Sequence, residues 1–377
     1  MTRLFKKKSS IWFWQQMVTP HMSELAVALT KRGFKVNYVA SEILSKKRIQ
    51  QGWKRPKLGR VKLLLAPNKD KMIAYARNSP NNSIHLSEGL RGNGLVGYAQ
   101  KIIRKRGQTH WAMMEQIEDQ NWKGYIKRLI YRLIILYWRN HLEGIMAIGR
   151  DSLDWYVKHG MQRNRVISFA YFIKKPNIKR LLKLSKRSQK KPFRFIFVGS
   201  LIKLKRVDIL IKAIAKLKHN NIELWIVGNG NEKKHLQSLA NQLLPQKKLR
   251  WFGVVSSDKI QNMIYKCDCL VLPSYYDGWG AVVSESLMVG TPVICSDKCG
   301  SSEVVKVSKA GNVFPANNEK ELIKCLLDQI IKGHNTLKER KKIMKWAKCL
   351  GADAGAEYLE KVLFQNNRSK CIKLPWK

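Results

Sequence analysis

Short runs of β-branched and other apolar residues alternate with amphipathic stretches along the chain. This alternation is typical of βα units, which assemble into a mostly parallel sheet. In the first half, Ile11–Trp14 is predicted as the first strand and His21–Lys31 as the following helix, which ends at Gly33. Further strands are predicted at Val36–Ala40, Val61–Ala66, Ser83–Leu86, His110–Met114, Gly144–Ile148 and Val166–Ala170.

The alternation restarts after a stretch between Lys174 and Arg194 that is rich in Lys and Arg, contains two prolines and lacks acidic residues. Strands are predicted at Phe193–Val198, Ile222–Val227, Leu249–Phe252, Cys269–Leu272 and Pro292–Cys295. Helices are predicted at Val207–Lys218, Glu232–Leu243, Asp258–Tyr265 and Ala281–Met288. The α/β pattern therefore predicts a Rossmann-like domain over 1–173, a basic linker over 174–192, a second Rossmann-like domain over 193–345, and a C-terminal helix in 346–377 that packs back toward the first domain.

One segment of the second half carries a chemical pattern, Asp277-Gly-Trp-Gly-Ala-Val-Val-Ser-Glu285. A buried strand is predicted to end at Pro273 and a helix to begin near Gly280, so the helix N-terminus lies at the carboxyl edge of the sheet. Its unpaired N–H groups suit a pyrophosphate, and the glycines let the backbone approach closely. Glu285 lies about one and a half turns into the helix, where its carboxylate suits a ribose diol. Asp277 is placed to accept from sugar hydroxyls.

The segment resembles the E-x7-E element of the retaining glycosyltransferases of family 4, which reads E-G-F-G-x-P-x-x-E followed by A-x-x-x-G-x-P-V. The positions in register are Gly278, Gly280, Glu285, Gly290, Pro292 and Val293. Two positions depart, because Asp277 replaces the first glutamate and Val282 stands where proline is common. The resemblance covers most of the chain and is strongest from Phe193 to Pro315. It implies the GT-B fold, in which two doubly wound Rossmann-like domains face a central cleft.

A second stretch, from Val198 to Ala213, resembles the family's G-R-L-x-x-x-K-G-x-D-x-L-I-x-A. Lys205 matches the lysine that such enzymes aim at the donor diphosphate. Ser200 stands where arginine is usual, so the resemblance implies that one phosphate contact is missing or comes from Lys203 or Arg206. Two further loops, Gly228-Asn-Gly230 and Arg250-Trp-Phe-Gly253, match family loops that lie near the base and the sugar.

The resemblance implies a metal-independent hexosyltransferase that moves a sugar from a nucleotide diphosphate sugar to a glycan or lipid-linked acceptor, with retention, in cell-surface polysaccharide assembly. The expected catalytic residues are Lys205, Asp277 and His21. The expected donor-binding residues are Ser200, Lys205, Gly228, Gly230, Asp277, Gly278, Trp279, Gly280, Ala281 and Glu285. The sequence contains no D-x-D triplet, so no metal-bound diphosphate and no cofactor are expected.

Three stretches of the first half follow predicted strands and are expected to line the cleft: Gln15–His21, Ser87–Gly94 and Glu115–Asp119. His21 could act as a base or contact the sugar, but its place near a helix N-terminus also suits a structural histidine. For Glu115, a functional and a structural role are likewise both open. Taken alone, Asp277 would be a helix cap and Glu285 a solvated carboxylate. Only the joint register of acids and glycines favours function over these structural interpretations.

The net charge of the chain indicates which kind of partner its surface attracts. Lys and Arg number 72 against 26 Asp and Glu among 377 residues, a net charge of +46, so the surface is expected to attract polyanions. The basic segment Lys101–Arg106 and a predicted helix from Trp122 to His141 mix cations with bulky apolar residues. Five of these recur at helical spacing: Trp122, Ile126, Leu129, Leu133 and Leu136. They fit either the domain core or a surface that faces an anionic membrane, and the membrane interpretation is preferred.

No apolar stretch reaches the length of a spanning helix, and no secretory signal is recognised, so a cytoplasmic protein peripherally associated with the inner face of the membrane is expected. The seven cysteines match no zinc-binding spacing and are expected to be free thiols. The charge alone also fits a nucleic-acid-binding protein, although no zinc finger, RNA-recognition signature or basic-region heptad supports it. A nucleotide-sugar epimerase or a phosphorylase of the same fold is a nearer alternative.

Overall fold

The structure, a computed structural model, describes residues 9–119, 122–182, 192–217, 221–364 and 372–377. The first half contains a seven-stranded parallel sheet in the order β3-β2-β1-β4-β5-β6-β7. Its strands are β1 (Ser10–Met17), β2 (Lys35–Glu42), β3 (Lys62–Leu65), β4 (Ile84–Glu88), β5 (Thr109–Glu115), β6 (Gly144–Ile148) and β7 (Val166–Phe169). Its helices are α1 (Pro20–Lys31), α2 (Lys46–Gln50), α3 (Lys69–Arg77), α4 (Val96–Lys105), α5 (Trp122–Trp138), α6 (Ser152–Lys158) and α7 (Ile178–Leu182).

The second half contains a six-stranded parallel sheet in the order β10-β9-β8-β11-β12-β13. Its strands are β8 (Phe193–Val198), β9 (Ile222–Val227), β10 (Leu249–Gly253), β11 (Cys269–Leu272), β12 (Val293–Ser296) and β13 (Gly311–Phe314). Its helices are α8 (Val207–Lys216), α9 (Lys233–Leu243), α10 (Ser257–Tyr265), α11 (Ala281–Met288), α12 (Ser302–Ser308), α13 (Glu319–Lys332), α14 (Leu337–Trp346) and α15 (Ala352–Phe364).

Both sheets are doubly wound, because the strand order reverses between β1 and β4 in the first and between β8 and β11 in the second. The central strands are buried on both faces, which is why they read as continuous apolar runs in the sequence. Doubly wound sheets bind ligands beyond the carboxyl ends of the strands at such reversals. The predicted fold of two Rossmann-like domains around a cleft is confirmed.

Two predicted boundaries are wrong. The stretch Gln15–His21 is mostly regular structure, since β1 runs on to Met17 and pairs with Glu42 of β2, and α1 begins at Pro20. The predicted helix from Trp122 ends at Trp138, three residues before His141. The predicted linker 174–192 contains the short α7, and its residues 183–191 lie outside the described part of the chain.

The last helix packs across the first domain. Arg32, just after α1, forms an ion pair with Glu360 of α15 at 2.5 Å. The rings of Phe34 and Phe364 stack with their centroids 5.5 Å apart. The last helix therefore contacts the first domain through both a charged and an aromatic side chain.

Among the described residues, none of the helices combines the length and the apolar character that crossing a bilayer requires. The six cysteines in the described part of the chain are free thiols, and Cys371 lies outside it.

Candidate functional site

The loop between β11 and α11 is held by backbone hydrogen bonds. The Asp277 N–H donates to the carbonyl of Lys298 at 3.1 Å, and the Gly300 N–H donates to the carbonyl of Asp277 at 2.9 Å. The Ser301 N–H donates to the carbonyl of Trp279 at 2.8 Å. This ladder ties the loop to the segment that follows β12, so the residues before α11 are fixed before any ligand arrives.

Helix α11 begins without a side-chain cap. Gly280 precedes it with φ of +80°, a conformation that favours glycine, and no side-chain oxygen among the described residues caps the helix. Ala281 is its first residue. The indole of Trp279 is 2% exposed and donates to Ser284 Oγ at 3.2 Å. The side chain is therefore buried against α11 and is inaccessible to a ligand. The helix start has the free donors of an anion site.

Lys205 and Asp277 form an ion pair at this helix start. The Lys205 ammonium donates to the Asp277 carboxylate, and both side chains are less than one-fifth exposed. Lys205 comes from the loop after β8, so the carboxyl ends of the adjacent strands β8 and β11 contribute one partner each. The sequence placed both residues in the site, and the structure brings them into contact.

Two residues near Lys205 that were considered as phosphate contacts, Ser200 and Arg206, bind other protein groups. Ser200 Oγ accepts a hydrogen bond from Gln51 Nε2 at 3.3 Å, which joins it to the first domain. Arg206 donates to both carboxylate oxygens of Asp208 at 3.0 Å and also contacts Asn317. Arg206 is therefore engaged elsewhere, whereas the side chain of Lys203 is exposed to solvent.

Gly228 and Gly230 pack against the backbone of the loop that leads to Lys205. A Cβ on Gly228 would overlap the carbonyl oxygen of Gly199, and one on Gly230 would overlap that of Leu201. The Leu201 N–H also donates to the carbonyl of Asn229 at 3.0 Å. These glycines allow two loops to lie backbone against backbone, so they shape the site through close packing.

Glu285 is a half-buried carboxyl inside α11. Desolvation raises its pKa to about 7, and no hydrogen bond or ion pair within the described part of the chain satisfies it. An acid held half-buried without a partner is suited to a ligand that donates hydrogen bonds.

The first domain contributes Glu115, which ends β5 and lies against Gly278. Its carboxyl remains open to solvent although protein atoms surround it on most sides, and this crowding raises its pKa. Tyr171 hydrogen-bonds the Glu115 side chain, and the charges of Asp277, Lys205 and Arg48 act on it. Glu115 thus belongs to the same cluster as the Lys205–Asp277 pair, across the cleft.

His21 lies farther back in the first domain. Its ring stacks on Tyr171 with centroids 4.2 Å apart and meets Trp53 edge-on at 6.1 Å. Desolvation and the nearby charge of Arg48 lower the pKa of His21 to about 4, so the imidazole is neutral near pH 7. Tyr171 is the side chain that connects it to Glu115. The structure therefore supports a positioning role for His21 more directly than a catalytic one.

Direct contacts between the two domains surround this cluster. The Tyr276 hydroxyl donates to the carbonyl of Gln116, and the Ser257 N–H donates to the carbonyl of Gly52 at 3.1 Å. The Arg150 N–H donates to the carbonyl of Gly300 at 3.0 Å. The cleft is therefore narrow, with backbones of the two domains in contact along its edge.

Arg48, Gln51, Tyr171 and Tyr276 were missed by the sequence reasoning. Arg48 and Gln51 lie on or beside α2, which is only five residues long and whose one local signal is the Ser45 side chain that accepts from the Arg48 N–H. Tyr171 and Tyr276 follow the strands β7 and β11, and their position after strands is the signal that would have found them.

Part of the chain is similar in sequence to known proteins. Residues 162–348 match the family model of the glycosyl transferases group 1. An uncharacterized glycosyltransferase of Methanocaldococcus jannaschii is 35% identical over 124 residues, which are 32% of each chain. The chain thus matches about a third of the length of this curated relative.

Two solved structures share the fold. The lipopolysaccharide outer core galactosyltransferase WaaB superposes with a TM-score of 0.70 at 16% identity, over 95% of this chain and 100% of that one. HepE of Anabaena, in complex with UDP, superposes with a TM-score of 0.72 at 15% identity, over 94% and 99% of the two chains. The fold is that of the GT-B glycosyltransferases. Residues 162–348 are similar in sequence to the glycosyl transferases group 1.

Proposed function

We propose that this protein is a retaining glycosyltransferase of family 4 that moves a hexose-type sugar from a nucleotide diphosphate sugar to a glycan or lipid-linked acceptor. The observation that carries the proposal is the Lys205–Asp277 ion pair at the uncapped start of α11. A cation beside free helix donors suits a diphosphate, and an adjacent carboxylate suits the hydroxyls of a sugar.

The donor occupies the second domain in this account. The N–H groups at the start of α11 and the Lys205 ammonium bind the diphosphate. Glu285, which has no partner among the described residues, accepts hydrogen bonds from the ribose diol. HepE, whose fold matches this chain, is described in complex with UDP, which supports a nucleotide donor.

Catalysis then rests on charge stabilisation. Lys205 and the start of α11 stabilise the negative charge that develops on the leaving diphosphate as the glycosidic bond breaks. Asp277 orients Lys205 and holds the donor sugar. The acceptor oxygen attacks the face from which the diphosphate departs, and its proton passes to the departing phosphate oxygen, which gives retention without a protein nucleophile. The narrow cleft limits the access of water and so the hydrolysis of the donor.

The acceptor binds to the first domain, and neither a metal ion nor a cofactor takes part. We place the enzyme in cell-surface polysaccharide assembly, in the cytoplasm, at the inner face of the membrane. The similarity of its fold to WaaB, a lipopolysaccharide galactosyltransferase, supports an acceptor at a membrane. The net charge of +46 supports attraction to an anionic leaflet.

A donor-consumption assay with a panel of nucleotide sugars tests this function. We expect Lys205→Ala to lower kcat/KM for the active donor by about 100-fold, because a charged contact to the diphosphate is lost. Lys212→Ala, a change of the same kind on α8, is the matched control. A kcat/KM of the Lys205→Ala variant equal to that of the wild type would refute the assignment of the site.

A further inference from the structure

Helix α5 exposes a long apolar face to solvent. Its exposed side chains include Trp122 (76%), Tyr125 (69%), Leu129 (54%), Leu133 (61%) and Tyr137 (57%). The buried residues of this helix are Gly124, Ile135 and Trp138. The stripe of residues at helical spacing therefore lies outside the core, and the core interpretation of these residues is wrong.

An exposed apolar face of this length needs a partner. Soluble proteins leave single apolar residues on the surface, but a contiguous patch marks a binding surface. Trp and Tyr, which flank the leucines here, prefer the boundary between water and hydrocarbon because one end of each ring is polar. The composition of the face thus matches an interface that is apolar on one side and wet on the other.

Cations border the same face. Lys123 and Arg132 of α5 are exposed, and Arg104 of α4 lies with its guanidinium 4.1 Å from the centroid of the Tyr137 ring. We call the exposed face of α5 with these three cations the α5 surface. It combines bulky apolar residues with positive charge in one patch.

We propose that the α5 surface binds an anionic lipid bilayer, with α5 lying in the plane of the interface. The apolar stripe enters the headgroup boundary, and the bordering cations contact lipid phosphates. A second copy of this chain is disfavoured as the occupant, because pairing two α5 surfaces would bring the same cations together on proteins of net charge +46.

The α5 surface is connected directly to the cleft. The residues after Glu115 lead from β5 to α5, and their carbonyls are held by that helix: Lys127 Nζ donates to Glu118 at 2.8 Å and Arg128 Nη1 to Asp119 at 2.7 Å. A helix in the membrane interface therefore keeps the acceptor side of the cleft close to the lipid. This last point rests on the proposed function, whereas the docking of α5 does not.

Sedimentation with vesicles tests the apolar part. Vesicles of equal parts phosphatidylglycerol and phosphatidylcholine should bind the protein, and Leu129→Ser with Leu133→Ser should weaken binding by at least about tenfold, because two leucines that would enter the bilayer are lost. Ile331→Ser is the matched control, since Ile331 is 80% exposed on α13, in the other domain. Its vesicle affinity should equal that of the wild type.

A second pair of variants tests the charge. Lys123→Gln with Arg132→Gln should weaken binding by roughly fivefold for each charge and flatten its salt dependence. Lys341→Gln with Lys342→Gln, which removes two exposed cations of α14, should have a smaller effect. Equal binding by all variants, or equal binding to phosphatidylcholine alone, overturns the proposal.

Two further measurements distinguish bilayer docking from self-association of the chain and from the proposed glycosyltransferase function. Analytical ultracentrifugation without lipid should show a monomer, and self-association that the leucine variant abolishes would favour a second copy and overturn bilayer docking. The leucine variant should keep the wild-type thermal response to nucleotides, because α5 lies outside the donor site. Vesicle binding without any nucleotide response would leave the docking intact and refute the proposed function alone.

Discussion

The Glu115 side chain lies so close to Gly278 that no side chain fits between them. Glu115 ends a strand of the first sheet, whereas Gly278 belongs to the loop that leads into α11. The contact therefore joins the two halves of the cleft at the point where the Lys205–Asp277 pair lies. A Cβ at position 278 would therefore require the Glu115 side chain to move.

This contact predicts a coupled effect of two substitutions. Gly278→Ala should lower kcat by about tenfold or more, because the new methyl group displaces the Glu115 carboxyl or widens the cleft. Glu115→Ala in the same chain should recover part of that loss by removing the collision. A double-mutant cycle on kcat should give a coupling of about 1 kcal/mol or more, and purely additive effects would contradict the contact.

The Lys205–Asp277 pair predicts different results for two changes at one position. Asp277→Asn should lower kcat/KM by about tenfold to 100-fold, because the amide no longer orients the ammonium by charge. Asp277→Glu should keep most of the activity, since the carboxylate is retained and glutamate occupies the corresponding position of the family 4 motif. Steady-state kinetics with the active donor decide between these results, and equal losses in both variants would show that charge is not the property required.

The raised pKa of Glu285 predicts how donor binding depends on pH. In the proposed donor complex, ribose hydroxyls donate to the ionised carboxylate, so binding favours the charged form, and the free carboxyl has a pKa of about 7. Affinity for a nucleotide sugar should be constant above this pH and should fall as the pH drops below 7, approaching about tenfold per unit. Calorimetric titrations from acidic to alkaline pH measure this. The Glu285→Gln variant should show weaker binding and no such slope.

Two buried histidines of the first domain predict an acid sensitivity of folding. His85 accepts from Trp14 Nε1 at 2.9 Å, and His110 Nε2 lies 2.7 Å from Ser87 Oγ. Burial lowers both pKa values from 6.5 to about 3. Between these values the unfolded chain binds protons that the folded chain does not, so the stability present above pH 6.5 is lost progressively as the pH falls toward 3.

Urea unfolding at a series of pH values checks this prediction. His110→Gln keeps a polar partner for Ser87 and removes one titrating ring. It should therefore reduce the loss of unfolding free energy between pH 6.5 and 5 by up to about 2 kcal/mol relative to the wild type. His235→Gln, at an exposed position on α9, is the control. Identical pH profiles for the wild type and His110→Gln would contradict the prediction.

Much of the second domain could be predicted from the sequence. Strands such as β11 are buried on both faces, so they appear as uninterrupted apolar runs bounded by turn residues. The register of Gly278, Gly280 and Glu285 then locates the start of α11. Local patterns of this kind are sufficient wherever the signal lies within one βα unit.

Contacts between the domains could not be predicted in the same way. Gln51 meets Ser200 and Glu115 meets Gly278, although each pair is far apart in the chain. Single-sequence patterns carry no information about such long-range pairs. The α5 stripe shows a second limit, because helical spacing identifies which residues share a face but leaves open whether that face points inward or outward.

The central claim is that the cleft binds the diphosphate and ribose of a nucleotide donor through Lys205, the start of α11 and Glu285. Thermal unfolding with a panel of nucleoside diphosphates and nucleotide sugars measures this directly, because a ligand that binds the folded state raises Tm. At least one nucleotide should raise the Tm of the wild type, and Glu285→Gln and Lys205→Ala should greatly reduce the shift. An absence of any shift in the wild type, or an equal shift in both variants, would contradict it.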